Sequence, residues 1–288
     1  MKKKAFAKIN LCLDVIGKRE NGYHELEMVM VPIDLFDTVD IQISEEMKIQ
    51  NDKFFLPSDE RNTVIKAIEI MRKKYGFQEN FKIQLVKNIP TQAGMAGGSA
   101  DAATAIKIVN ELLDLKASEK ELFEIAEQVG SDVPFCMLGK PALVKGVGEK
   151  LTPIEINLDF HIFLAKPKKG VSTKIAFHNL DSTSFSHLDV EKVVQGLKEG
   201  NYEVFLDSLG NVLEEVAIQE VPEIYDMKKE LLDFGFDAAL MSGSGSTVFA
   251  LTKNEALVDA AVNHFWNRYW FVKKTKILPD ILMQEDVN

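Results

Sequence analysis

The strongest candidate for chemistry is a glycine-rich stretch from Pro90 to Ala103, Pro-Thr-Gln-Ala-Gly-Met-Ala-Gly-Gly-Ser-Ala-Asp-Ala-Ala. Apolar and polar residues alternate over 81–87 before it, and apolar residues recur at helical spacing after it. The pattern predicts a strand–loop–helix junction, in which small residues let a ligand approach the backbone and helix N–H groups face an anion. A connection that only turns the chain would contain the same glycines, so both interpretations stay open on this stretch alone.

Two common kinds of phosphate-binding loop are excluded for this stretch. No Gly-Lys-Ser or Gly-Lys-Thr follows the glycines, so the stretch is not a P-loop. The dinucleotide fingerprint Gly-x-Gly-x-x-Gly is absent from it as well.

Polar side chains also recur on the first predicted strand. Residues 5–16 alternate, and the alternation places Lys8, Asn10 and Asp14 on one polar face. These three side chains could line a site, although an ordinary solvated face of a sheet would show the same pattern.

Two further positions carry side chains suited to binding or catalysis. Tyr23 and His24 follow an Asn-Gly hairpin turn, and such a pair can stack on a planar base and hydrogen-bond to it, or simply pack at a sheet edge. Asp132 lies just after a predicted helix and two residues before Pro134, where a carboxylate serves as a turn former or as a catalytic group.

The composition argues against a nucleic-acid-binding protein, a membrane protein and a secreted protein. Lys and Arg number 34 against 44 Asp and Glu, and the resulting net charge of −10 disfavours binding to a nucleic-acid backbone. With 46% hydrophobic residues, the 288 residues suffice for one large domain or two ordinary ones. No apolar run predicts a membrane span, and Lys8 and Asn10 interrupt the segment that a signal peptide would need. Cys12 and Cys136 lie in apolar surroundings, which predicts reduced thiols in a cytoplasmic protein.

Strands and helices mix along the whole chain, which predicts an α+β fold. Separate strands are expected over 24–31 and 39–43, and Asn62 is expected to cap the first helix. A helix with a capping box is expected to begin at Ser118.

A domain boundary is expected where the periodic pattern loosens, around 152–158. This divides the chain into domains 1–156 and 157–288. The second half reads as β–α–α–β–β–α–β, which predicts a ferredoxin-like α+β domain.

Three separated segments together resemble the motifs of the GHMP small-molecule kinases, which include galactose, homoserine, mevalonate and phosphomevalonate kinases. The segments are Lys8-Ile-Asn-Leu11, the 90–103 stretch, and Met241-Ser-Gly-Ser-Gly-Ser-Thr-Val-Phe249. Within that family, 17–25 and 131–135 resemble the branch that phosphorylates a cytidine diphosphate-linked methyl-erythritol in non-mevalonate isoprenoid synthesis. The similarity covers nearly the whole chain and keeps the order of the motifs.

The resemblance implies a fold and a reaction. The implied fold has a ribosomal-S5-like N-terminal α/β domain and a ferredoxin-like C-terminal domain, with the site between them. The implied reaction transfers the γ-phosphoryl group of ATP, with Mg²⁺, to the 2-hydroxyl of the small-molecule substrate. From the charge and hydropathy we expect no nucleic-acid partner and no membrane association, and the sequence leaves a monomer and a homodimer open.

The resemblance also implies roles for individual residues. Lys8 and Asp132 match the catalytic pair, with Asp132 accepting or orienting the hydroxyl proton, and Ser99 is the candidate near magnesium. The predicted ATP-phosphate contacts are Pro90, Gly94, Met95, Ala96, Gly97, Gly98, Ser99 and Ala100. The predicted substrate contacts are Asn10, Tyr23, His24, Thr173 and Phe177.

The loop departs from the family pattern at several positions. Gln92, Ala93 and Ala96 stand where many relatives have glycines, which predicts a stiffer loop. Ala100 replaces a frequent second hydroxyl, leaving Ser99 and Asp101 as candidates near the metal.

Two other functions compete with the implied one. A GHMP kinase acting on another sugar alcohol or a mevalonate-type substrate would have no obvious use for Tyr23 and His24. A non-catalytic binding protein on the same fold would have no need of Lys8 and Asp132.

Overall fold

The protein is described by a computed structural model covering residues 1–53, 56–181, 185–282 and 285–286. Its first half consists of β1 (Lys2–Lys18), β2 (His24–Ser44), β3 (Lys48–Asn51), α1 (Thr63–Tyr75), β4 (Asn80–Val86), α2 (Gly97–Leu112), α3 (Glu119–Val129), α4 (Val133–Leu138), β5 (Ala142–Gly146) and β6 (Lys150–Pro153). Its second half consists of β7 (His161–Lys166), α5 (Thr173–Leu180), α6 (Val190–Glu199), α7 (Tyr202–Ser208), β8 (Gly210–Asn211), α8 (Glu214–Glu220), α9 (Glu223–Phe234), β9 (Ala238–Met241), β10 (Val248–Thr252), α10 (Glu255–Phe265) and β11 (Phe271–Thr275).

A seven-stranded sheet organises the first half. Its strand order is β3-β4-β2-β1-β8, and β5 extends it by pairing with the start of β2 and with β6. The two strands predicted over 24–31 and 39–43 are one strand, β2, and this prediction was wrong. Pro32, Asp34 and Asp37 interrupt the apolar pattern of β2 without breaking the strand, because β1 pairs with it almost along its length.

The local helix signals in the first half are confirmed. The Asn62 side chain accepts a hydrogen bond from the Val64 N–H at 3.0 Å, and Ser118 and Glu121 form the expected capping box. Helix α2 packs against β1 and β2, and the other three helices of this half pack against α2. Asp132 lies at the start of α4, a short helix that the sequence pattern did not reveal.

The four-stranded sheet of the second half is antiparallel, with the order β11-β7-β10-β9. A ferredoxin-like α+β domain was predicted here, but the predicted β–α–α–β–β–α–β order of elements omitted α5, α7, β8 and α8. One face of the sheet, with Ile162 and Leu164, packs against Ile9 and Val31 of the seven-stranded sheet. Alternate residues such as Phe163 point to the opposite face, toward α9 and α10.

Two segments of the second half contact the first half and join the two. Strand β8 pairs in parallel with β1, so the second half supplies an edge strand to the first sheet. The segment after β11 returns to the first half, where the Leu278 N–H donates to the Pro32 carbonyl and the Lys4 N–H donates to the Glu285 carbonyl. Lys107 and Glu285 form a partly buried ion pair at 2.5 Å.

Candidate active site

A cleft with a volume of about 830 Å³ lies where the two halves meet. Ala100 is the one predicted site residue that does not line it, because Ala100 is buried in α2 and its N–H donates to the Ala96 carbonyl at 2.9 Å. The predicted residues that do line the cleft are Lys8, Asn10, Tyr23, His24, Pro90, Gly94, Met95, Ala96, Gly97, Gly98, Ser99, Asp132, Thr173 and Phe177.

An opposite-charge pair lies at one point of the cleft. The Lys8 ammonium is 3.7 Å from the nearer carboxylate oxygen of Asp132, and it donates to the Asn10 side-chain oxygen at 2.7 Å. The Lys8 side chain is only 5% exposed, whereas that of Asp132 is 35% exposed. The cation is therefore held in place by the protein, and the carboxylate stays open to the cleft.

A β-bulge decides which side chains of β1 reach the cleft. The register with β2 shifts between Asn10 and Cys12, which turns the following side chains over. Leu13 lines the cleft in consequence. Asp14 points to the other face, where it accepts from the Leu188 N–H at 3.2 Å. The prediction that Asp14 shares a face with Lys8 was therefore wrong.

The glycine-rich stretch forms a loop that ends at the N-terminus of α2. None of the described side chains caps this helix, and the N–H groups of Gly97, Gly98 and Ser99 have no carbonyl partners within the helix. Gln92 and Ala96 adopt φ angles of 49° and 56°. An L side chain costs about 1 kcal/mol in this left-handed region, which explains why glycine suits both positions.

The Ser242–Gly243 turn of the second half closes one side of this loop. The Ser242 hydroxyl donates to the Gly94 carbonyl at 3.0 Å and accepts from the Asn10 N–H at 3.3 Å. A Cβ atom on Gly94 would lie 1.9 Å from the Ser242 carbonyl oxygen. The Asn211 side chain fixes the turn by donating to the carbonyls of Met241 and Gly243. The two backbones therefore touch only because glycine stands at the contact.

Beneath the loop lies a buried cluster of three charges that the sequence analysis missed. The Lys87 ammonium contacts the carboxylates of Asp37 and Asp101, and all three residues are buried. The second oxygen of Asp37 accepts from the N–H groups of Asn88 and Ile89 at 2.6 and 2.8 Å. One cation thus ties β2, the start of the loop and the first turns of α2 together.

A sequence signal for this cluster existed. Lys87 continues the alternation of Phe81, Ile83 and Leu85, all of which are buried on β4. A lysine in phase with buried residues predicts a buried charge that needs partners.

The cluster has two carboxyl groups, those of Asp37 and Asp101, but only one ammonium group, that of Lys87. Burial raises the pKa of Asp101 to about 7, although the nearby Lys87 ammonium lowers it, and the Asp37 carboxylate raises it further. One oxygen of Asp101 accepts no hydrogen bond from the described residues. Two carboxylates sharing one ammonium therefore favour a proton on Asp101.

Aromatic residues line the other end of the cleft. The rings of His24 and Phe177 stack with centroids 4.9 Å apart and planes 27° apart. Tyr23 is 59% exposed beside them, and the Thr173 hydroxyl is 2.8 Å from the Ser244 hydroxyl. The residues predicted for a planar base thus lie together, and Thr173 links α5 to the serine–glycine turn.

Comparison with known proteins identifies the fold and the family. The family described as GHMP kinases N terminal domain matches residues 62–140, and the family GHMP kinases C terminal matches residues 193–270. A crystal structure of homoserine kinase from Cytophaga hutchinsonii shares the fold, with a TM-score of 0.76 and 22% identity over 97% of this chain and 96% of that chain. The chain belongs to the GHMP kinases.

Relatives of higher identity narrow the family further. A 4-diphosphocytidyl-2-C-methyl-D-erythritol kinase from Acetivibrio thermocellus is 44% identical over 94% of this chain and 98% of its own length. The protein of the same name from Bacillus pumilus is 42% identical over 90% of this chain and 91% of its own. A crystal structure of 4-(cytidine 5'-diphospho)-2C-methyl-D-erythritol kinase has a TM-score of 0.80 and 28% identity, over 96% of this chain and 99% of that one. Within the GHMP kinases, the chain groups with these kinases.

We expect Gly94→Ala to destabilise the fold by about 3 kcal/mol or more, because its Cβ would collide with the Ser242 carbonyl at a positive φ. Gly22→Ala is the control, since Gly22 also has a positive φ but open space around its Cβ position, and should cost only about 1 kcal/mol. Urea unfolding measures both variants. Equal losses would show that the contact between the two turns is not required.

We expect Asp101→Asn to change how stability depends on pH. A carboxyl whose pKa is raised on folding binds its proton more tightly in the folded state, so the stability that Asp101 contributes is lost as pH rises from about 4 to about 7. The slope from this group reaches at most about 1.4 kcal/mol per pH unit and disappears in the variant. Unfolding free energies across this pH range, with exposed Asp114→Asn as the control, test this. Parallel curves for wild type and Asp101→Asn would contradict it.

Proposed function

We propose that the protein transfers the γ-phosphoryl group of ATP to the 2-hydroxyl of 4-diphosphocytidyl-2-C-methyl-D-erythritol, a step of non-mevalonate isoprenoid precursor synthesis. The observation that carries this proposal is the Lys8–Asp132 pair, 3.7 Å apart in a cleft between the glycine-rich loop and the His24–Phe177 stack. The names of the relatives at 42–44% identity support the choice of substrate.

At the loop end, the uncapped N-terminus of α2 suits the phosphates of ATP. Free N–H groups and the positive end of the helix dipole both favour a phosphate group at Gly97, Gly98 and Ser99. Ala100 is left out of this proposal because its N–H is used within the helix.

The donor groups present fit a magnesium ion that arrives with ATP. Among the described residues no group of three or more His, Cys, Asp or Glu side chains forms a metal site. Mg²⁺ bound to a nucleotide needs few protein ligands, since phosphates and water supply most of them, and Ser99 offers a hydroxyl oxygen in the cleft. When bound, the ion would offset negative charge on the β- and γ-phosphates.

Asp132 and Lys8 have different roles in phosphoryl transfer. The substrate hydroxyl oxygen forms a bond to the γ-phosphorus, the bond to ADP breaks, and the hydroxyl proton passes to Asp132, the exposed carboxylate. The Lys8 ammonium stabilises the negative charge that spreads over the transferred group. Asn10 orients the lysine through its 2.7 Å hydrogen bond and contacts the substrate.

The cytidine end of the substrate occupies the aromatic end of the cleft. Tyr23 and Phe177 offer ring faces for stacking, His24 offers ring nitrogens for hydrogen bonds, and Thr173 contacts the neighbouring part of the substrate.

The proposal keeps the two-domain division at 1–156 and 157–288 and a cytoplasmic location. The strands before residue 156 form the seven-stranded sheet, and those after it form the four-stranded sheet. The exception is β8, which lies after residue 156 but pairs with β1 in the first sheet. Cys12 and Cys136 are buried free thiols, as in proteins of a reducing compartment. No helix in the described part of the chain has the length and hydropathy of a membrane span.

The substrate assignment is tested by measuring ADP release with ATP, magnesium and the cytidylated methyl-erythritol. We expect turnover of this substrate to exceed that of mevalonate and homoserine by at least about 100-fold, because neither control carries a base for the aromatic end of the cleft. Turnover of the cytidylated substrate no faster than that of the controls would contradict the assignment and favour a different sugar alcohol.

We expect Asp132→Asn to lower kcat by about 100-fold or more, since proton transfer to a positioned carboxylate contributes a factor of this size. The fold should be intact, because the carboxylate is 35% exposed and the buried Lys8 ammonium keeps its hydrogen bond to Asn10. Steady-state kinetics beside a thermal melt separate the two effects, with Asp114→Asn as the matched exposed control. A kcat near that of the wild type would remove Asp132 from the mechanism.

A further inference from the structure

The imidazole of His24 is held by a carboxylate that the sequence analysis did not single out. Asp181 follows α5 directly, and one of its oxygens lies 2.8 Å from Nε2 of His24. Its other oxygen accepts from the Lys18 ammonium at 2.5 Å. Lys18 and His24 face each other across the β1–β2 pair, so Asp181 binds both strands at the mouth of the hairpin.

Helix α5 holds the His24 ring on two sides. Phe177 covers one face of the ring, with centroids 4.9 Å apart, and Asp181 contacts one edge. Phe177 and Asp181 are four residues apart, so they lie on the same face of the helical segment. The imidazole is only 12% exposed, and none of the described residues hydrogen-bonds to its other nitrogen, Nδ1, which can therefore meet a ligand.

The contact with Asp181 determines which nitrogen of His24 carries the proton. Hydrogen bonds from Lys18 and His24 lower the pKa of Asp181, so the carboxylate is ionised and can only accept hydrogen bonds. Nε2 must then donate its hydrogen to Asp181. In the neutral ring the other nitrogen, Nδ1, is left with a lone pair and acts as an acceptor.

We propose that Asp181 is a specificity-determining positioning residue, which holds His24 with an acceptor at Nδ1 so that the site takes cytosine and rejects uracil. Cytosine presents an amino group at its 4-position, which donates to an acceptor. Uracil presents a carbonyl oxygen there, and two acceptors facing each other leave both without a partner. This inference rests on the proposed function in that it takes the aromatic end of the cleft as the base site.

Kinetic discrimination between cytidine and uridine substrates tests the proposal. The wild type should prefer the cytidine-linked methyl-erythritol diphosphate over its uridine-linked analogue by at least about 100-fold in kcat/KM. Asp181→Ala should lower kcat/KM for the cytidine substrate by about 10-fold or more and reduce the preference to less than about 10-fold, with the KM for ATP unchanged. Lys18→Met is the matched control, because it removes the outer ion pair and keeps the Asp181–His24 contact, and it should keep the preference.

The protonation of the ring provides a readout that a merely structural role would not change. Nitrogen-15 spectra of histidine-labelled protein, with the His24 signal assigned from His24→Gln, should show the Nε2–H form in the wild type. Asp181→Ala should show a mixture of the two neutral forms, and Asp181→Asn, whose amide oxygen still accepts, should keep the Nε2–H form. An Nδ1–H ring in the wild type, or unchanged discrimination in Asp181→Ala, would overturn the proposal.

Binding of cytidine and uridine monophosphates by calorimetry separates this inference from the proposed function. If the wild type fails to phosphorylate the cytidylated substrate but binds cytidine monophosphate over uridine monophosphate in an Asp181-dependent way, the inference stands and the proposed substrate is wrong. If the wild type phosphorylates the substrate and Asp181→Ala discriminates as well as the wild type, the inference fails and the proposed function stands.

Discussion

The ammonium of Lys87, buried between the carboxylates of Asp37 and Asp101, is the interaction on which the active-site loop depends. Burying these three groups is costly, and one cation between two carboxyl groups leaves the cluster short of positive charge, which favours a proton on Asp101. The cluster offsets this cost by fixing the path of the backbone around it. Asp37 also accepts hydrogen bonds from the N–H groups of Asn88 and Ile89, which fixes the direction of the chain after β4. At its other end the loop continues into α2, which is held by the contact between Lys87 and Asp101. The position of the loop between these two points follows from the position of the cation.

The cleft exists only when both halves of the chain are folded. The loop belongs to the first half, but its open side is closed by the Ser242–Gly243 turn of the second, and the Asn10 N–H donates to the Ser242 hydroxyl across the same boundary. The aromatic end of the cleft is also built from both halves, because His24 belongs to β2 and the residues that contact its ring, Phe177 and Asp181, belong to α5 and the residue after it. Phosphate binding, proton transfer and base recognition therefore share one scaffold, in which a displacement of either half would affect all three.

The sequence predicted the elements whose signals are local. Alternation over 81–87, the Asn62 cap and the Ser118 capping box each depend on residues close in the chain, and each is confirmed. Features set by partners distant in sequence were missed. Alternation could not reveal the bulge that turns Asp14 away from Lys8, because the bulge is defined against β2. Helices α4, α5, α7 and α8 are eight residues or shorter, too short for a reliable helical period. Most predicted site residues meet in one cleft because motif order constrained them, whereas Asp181 lay outside every motif.

The C-terminal segment has a consequence for the order in which the chain acquires its structure during synthesis. The first strand is completed at one edge by β8 and bonded at Lys3 and Lys4 to residues 285–286, among the last in the chain. Domains usually fold from the N-terminus as the ribosome releases them. Here β1 stays incomplete at one edge until residues far along the chain are made, so the first half leaves the ribosome with an edge still unsatisfied. Contacts of such long sequence separation form slowly, so the catalytic cleft can first be assembled only after Gly210, Asn211 and Ser242 have left the ribosome.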